Sequence, residues 1–134
     1  MDVFEIIASW RNHSFYKDYL NSGCSDGEIE KLQLAAKEFG FTIPRSFIRL
    51  LKISNGIQIN SVFFKEAENL IAENLDLESP EVIVLGNSGN VEAYIFDRRD
   101  SKFHTVNFFN FAEKFATYAT FEAMLLAIIR VQMP

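Results

Sequence analysis

The stretch Ile43-Pro44-Arg45-Ser46-Phe47-Ile48-Arg49-Leu50-Leu51-Lys52-Ile53-Ser54-Asn55-Gly56 decides how this chain is read. Pro44 suits the first turn of a helix, where its missing N–H is not needed and its fixed φ fits the start. Phe47, Leu50 and Leu51 then fall on one helical face with Ile48 on its flank, while Arg45, Arg49 and Lys52 turn the other way. Asn55-Gly56 is a stop signal, because both residues tolerate the left-handed conformation that ends helices. The spacing predicts a short amphipathic helix of about three turns. Nothing in it is set up for chemistry, so by physics alone it is scaffold.

Working outward, Ser25-x-x-Glu28 is a capping box, with Cys24 and Ile29 spaced as its hydrophobic staple. Such a cap contributes about 1 kcal/mol and fixes the start of a helix. Ile29, Leu32, Ala36 and Phe39 form its apolar stripe, and Gly40 ends it. Nearer the N-terminus, Val3, Ile6, Ile7 and Trp10 share a helical face; Tyr16, Tyr19 and Leu20 continue it after a break at residues 12–14. Beyond Gly56 the period changes. Ile57, Ile59 and Phe63 alternate with Gln58, Asn60 and Phe64 as in a strand, and Val82-Ile83-Val84-Leu85 reads as a central strand. A turn at residues 86–90 leads to a strand over 91–96, and the charged turn at 97–101 to another over 103–108. Short turns between consecutive strands favour an antiparallel meander. Asn110-x-x-Glu113 has the form of a cap for a short helix, and Thr120 to Val131 is a largely apolar terminal helix. The fold class is therefore α+β: an antiparallel or mixed sheet, with helices from both ends of the chain packed on it. The whole chain, residues 1–134, is read as one domain.

An apolar residue and Pro, a helix with Phe and Leu anchors, then Asn-Gly: this order resembles the signature of the SUKH superfamily. The capped helix from Ser25 to Phe39, the strand and glycine turn over Val82 to Asp97, and the Phe-Glu helix at Thr120 to Leu125 follow in the same sequence. The similarity spans roughly residues 25–130. Ile43 stands where the family usually has Leu, and Ser46 where an acidic residue is common. The resemblance implies a small α+β protein related to fungal cell-wall-assembly regulators, whose bacterial members are often immunity proteins against secreted polymorphic toxins. It implies a protein partner and stoichiometric contact. A regulatory interaction module without a toxin partner stays open beside that reading.

Charge is the other pattern. The acids Glu66, Glu68, Glu73, Asp76, Glu78 and Glu81 fall within sixteen residues that hold no Lys or Arg, a local charge of −6 in a chain of net charge −5. The rest of the chain is thus close to neutral. Concentrated like charge opposes compactness and is relieved by a cationic partner. These six residues are the candidate partner-binding set, facing a basic toxin domain, with Leu70, Ile71 and Leu75 as apolar anchors; an ordinary solvated acidic surface is the alternative. An acidic protein of this kind can oppose a nuclease by occupying the basic groove meant for nucleic acid. Direct nucleic-acid binding is disfavoured, since the chain has no basic stripe; Arg98-Arg99 is flanked by Asp97 and Asp100.

Other function classes find little support. With His13 and His104 the only imidazoles, no His-x-x-x-His or Cys cluster has metal-ligand spacing, and no cofactor is called for. His104 is read as a satisfied or half-exposed sheet residue rather than a ligand. Gly86 and Gly89 lack the Lys-Ser/Thr of a phosphate loop, and Ser88 is not in a nucleophile elbow. The chain is not expected to be an enzyme. Its longest apolar run, Ala123 to Ile129, is far short of the roughly 20 residues that span a bilayer. Met1-Asp2-Val3-Phe4-Glu5 is acidic where a secretory signal needs positive charge, and the lone Cys24 cannot form an internal disulfide. A reducing cytoplasm is the expected location.

Overall fold

Among the described residues, six strands follow one another as antiparallel neighbours, in chain order, in a single sheet. The computed structural model describes residues 2–40, 42–75 and 81–133. β1 (Ile57–Ile59) and β2 (Val62–Phe64) form a tight hairpin turned by Asn60 at φ 55, a left-handed conformation that Asn accepts more readily than most residues. β3 (Val82–Ser88), β4 (Glu92–Asp97), β5 (Lys102–Asn107) and β6 (Asn110–Tyr118) complete the meander. The register of β3 on β4 shifts between Val84 and Gly86. Gly86 is required there, because a Cβ would lie 2.2 Å from the Phe63 carbonyl oxygen of the adjoining strand.

Alternation along the strands separates two apolar layers. Ile83, Leu85, Tyr94 and Phe103 face the helices and join the main core. Val82, Val84, Ala93, Ile95 and Val106 form a smaller cluster on the opposite face, with Phe111 packed against it. The helical layer comprises α1 (Val3–Ser9), α2 (Asp26–Glu38), α3 (Arg45–Ile53), α4 (Ala67–Leu75) and α5 (Phe121–Gln132). α3 buries Phe47, Ile48, Leu50 and Leu51, the face its spacing predicts. On its outer side Arg49 bonds Asp2 at 2.8 Å and lies over the Phe4 ring. Phe121, at the start of α5, is the hub of the core: its ring meets Phe47 at 5.7 Å and Phe64 and Phe103 at 5.6 Å. Both bonds of the Ser25–Glu28 capping box are formed.

Four local expectations change. The run over 57–64 is a hairpin of two strands, not one. Residues 16–19 make a 3-10 turn instead of extending the first helix, and Leu20 bridges to Ile57. β3 continues to Ser88, so the turn begins later than residue 86. Asn110 to Glu113 opens β6 rather than a helix, because β5 offers a free edge and the chain pairs along it. Among the described residues, no helix is long and apolar enough to cross a membrane.

Candidate partner-binding surface

The acidic segment is not a loop throughout: residues 67–75 form α4. Its placement follows from the Asn-Gly stop of α3. Ser54 is fully buried, accepts from the Asn21 N–H at 2.8 Å and donates to the Gly56 carbonyl. Asn55 then works in both directions. Its Oδ1 accepts from the Ala67 N–H at 2.8 Å, satisfying a donor at the start of α4, and its Nδ2 donates to Glu68 at 3.1 Å. Gly56 sits at φ +80, and a Cβ there would come 2.6 Å from Cγ of Glu66. The motif that ends one helix thus starts another, holds Glu68, and leaves room for the preceding Glu66.

Glu66 and Glu68 share one small site. The carboxyl of Glu66 is pushed above its ordinary pKa, chiefly by a hydrogen bond with Glu68. Glu68 is held below the usual range, chiefly by the Asn55 amide. The two carboxyls are neighbours with opposed shifts, so an incoming cation would meet paired negative charge there. Glu28 belongs to the same neighbourhood. Burial raises the Cys24 thiol pKa, and the charges of Glu28 and Glu68 raise it further.

The remaining predicted acids go elsewhere. Glu73 is ion-paired with Lys65, whose ammonium pKa burial lowers, so its charge is already matched inside the fold. Glu81 precedes β3 and is tied to the β4–β5 turn, where the Arg98 N–H donates to its carbonyl at 2.8 Å. Asp76 and Glu78 lie outside the described residues. Of the apolar anchors, Leu70 is 1% exposed and belongs to the core, so it cannot meet a partner. Ile71 and Leu75 do reach the surface. They line an open groove of about 540 Å³ between α2 and α4, with Ala72 beside them and Leu32, Ala35 and Phe39 across from them. Glu28, Lys31 and Glu68 are its polar lining.

A second polar cluster sits on the far face of the sheet. Asp97, Asp100 and His104 bring ligand-type atoms within 4.8 Å of one another. Each is already engaged. His104, 1% exposed, contacts Thr117 through Nδ1 and Asp100 through Nε2, both at 2.8 Å. Asp97, 2% exposed, accepts from the Arg99 guanidinium at 3.0 and 2.8 Å. The arrangement clamps the β4–β5 turn to β6, so this charged turn has a buried anchor.

The comparison with known families bears on both surfaces. The family model described as SMI1 / KNR4 family (SUKH-1) matches residues 23–127. The chain belongs to this family. The match begins just before the capping box of α2 and runs into α5, so the groove and the Asn55-Gly56 joint both lie inside the SUKH-1 domain. No curated protein matches the chain significantly. The SUKH-1 assignment agrees with the predicted resemblance and fits a domain of the immunity-protein type that acts through contact with a protein.

Glu28, Asn55 and Lys65 were missing from the acidic set read off the sequence. The capping box marks Glu28 as a helix-start residue but not as a neighbour of Glu68, forty positions on. Asn55 was visible as a stop signal, and its second role needed the return of the chain at Ala67.

Proposed function

We propose that this SUKH-1 chain is an immunity protein that binds and neutralises a secreted toxin by stoichiometric contact in the cytoplasm. The toxin domain is basic, and a nuclease fits best, because an acidic surface can occupy a groove built for phosphates. One observation carries the reading: Glu68, held by Asn55 and with Glu66 as its neighbour, lines an apolar groove. Partner-binding surfaces combine such features, with apolar anchors supplying affinity and flanking charge supplying partner choice and encounter rate. Glu73 contributes less than its exposure implies, since Lys65 already neutralises it. Asp76, Glu78 and Glu81 extend the acidic set on the strength of the sequence pattern. The protein acts without catalysis, cofactor, membrane contact or direct nucleic-acid binding.

The test is rescue together with binding. The chain is co-expressed with candidate basic toxin domains, and each purified pair is titrated at two salt concentrations. Survival with a tight one-to-one complex, slowed in association by Glu66→Lys with Glu68→Lys, supports the proposal. An on-rate unchanged by that double reversal removes the acidic pair from the mechanism. Absence of both rescue and complex would leave the regulatory module as the better reading.

A further inference from the structure

α2 and α4 carry six acids and two bases, giving these two short helices −4 of the chain's net −5. Between them lies the groove, and its lining has a direction. Glu28 and Glu68 close one end: each lies in the first turn of its helix, and Asn55 holds Glu68 at 3.1 Å while its N–H bonds the Ser22 carbonyl just before α2. Both helices begin at that end, so Phe39 lies about 17 Å further along α2 and Leu75 about 11 Å further along α4. These two side chains are 51% and 47% exposed. Leu32, Ala35 and Phe39 recur at helical spacing on one wall, as do Ala67, Ile71 and Leu75 on the other. Two apolar stripes flanking a furrow form the seat that a third helix fills in a helical layer.

We propose that this groove receives one amphipathic helix of the partner protein, about three turns long, with Leu or aromatic residues on its inner face and Lys or Arg at the end that meets Glu28 and Glu68. The proposal rests on the protein-partner reading above and specifies the partner's chemistry. Charge complementarity selects the occupant: a neutral or acidic helix would leave the two glutamates facing apolar or like-charged groups. Orientation follows as well. The N-termini of α2 and α4 carry partial positive charge, which favours the C-terminal end of the incoming helix there. Basic residues in that last turn satisfy the incoming helix's own dipole and the glutamates together.

The experiment uses the full chain and a synthetic probe: a peptide of about 14 residues with leucines at helical spacing and lysines in its last turn. Controls are a scrambled peptide of the same composition and one with glutamates replacing the lysines. Methyl NMR of Ala35, Ile71, Ala72 and Leu75 follows binding. Saturable shifts confined to these methyls, given by the first peptide alone, are the expected result. Ala72→Glu separates anchoring from attraction, since it adds negative charge while placing a carboxylate among the apolar residues. Anchored binding predicts a loss of roughly tenfold or more for this variant, whereas attraction alone predicts equal or tighter binding. The inference is overturned if the scrambled peptide binds as well, if shifts map elsewhere, or if Ala72→Glu binds no more weakly. A toxin complex weakened by Glu66→Lys with Glu68→Lys but untouched by Ala72→Glu would retain the immunity reading and discard the groove. Indifference to both substitutions would discard both surfaces.

Discussion

Asn74 offers the sharpest test of how the acidic helix is held. It lies in α4, is 4% exposed, and faces the edge of β3 where β2 no longer pairs, since that pairing covers only Gly86 to Ser88. Its Oδ1 accepts from the Val84 N–H at 2.7 Å, and its Nδ2 donates to the Val84 carbonyl at 3.0 Å and to the Leu70 carbonyl at 2.7 Å. One side-chain amide thus supplies the two bonds a neighbouring strand would have made. Asn74→Ala leaves both backbone groups of Val84 unpaired in a buried position. Each such group costs about 1–3 kcal/mol. Alanine returns about 0.5 kcal/mol through its higher helix propensity, and admitted water relieves a further part. The expected net loss is about 2–4 kcal/mol, a large fraction of the 5–15 kcal/mol typical of a domain. Urea denaturation of wild type and variant measures it as a shift in midpoint at unchanged slope. Amide exchange at Val84 should accelerate in the variant even where the global transition is unaffected. A loss below about 0.5 kcal/mol, with Val84 exchange unchanged, would refute the claim that this amide completes the sheet edge.

Two further substitutions test the seating of the site. Gly56→Ala combines a φ of +80 with a Cβ 2.6 Å from Glu66 Cγ. It should cost about 1–3 kcal/mol and disturb the Glu66–Glu68 pair, observable as a changed Glu66 titration by carboxyl NMR; an unchanged titration would show that the motif does not seat the acids. Asp97→Asn addresses acid stability. Hydrogen bonds from Arg99 hold the Asp97 carboxyl below the ordinary range despite its burial. Its contribution is therefore present above the unfolded value of about 3.9 and lost as pH falls through the lower folded value. Arg99 is largely exposed, so solvent screening limits the effect to about 1 kcal/mol at pH 7. The gap between wild type and variant should narrow progressively as pH falls below about 4 in pH-dependent urea melts, and a gap that stays constant with falling pH there would contradict the linkage.

The sequence by itself determined what depends on neighbours along the chain. Phe47, Leu50 and Leu51 announce α3 because helical period places them on one face, and Ser25 with Glu28 marks the start of α2 because both bonds close within three residues. The strands at Val82 and Glu92 and the helix at Thr120 follow from period and composition in the same way, and with the Asn55-Gly56 stop they sufficed for fold class and family. α4 escaped that reading, since its buried side includes the polar Asn74, whose value lies in bonds to Val84 ten residues later. Asn110 to Glu113 carries a helix-cap pattern, yet the free edge of β5 drew it into β6. Charge density located an acidic segment but could not sort its members. Only the tertiary structure held Glu68 on Asn55, gave Glu73 to Lys65, sent Glu81 to another turn, and brought Glu28 to the groove. The reason is that side-chain period and capping are local, whereas the partner of a carboxylate is set by which distant backbone the packed core carries past it.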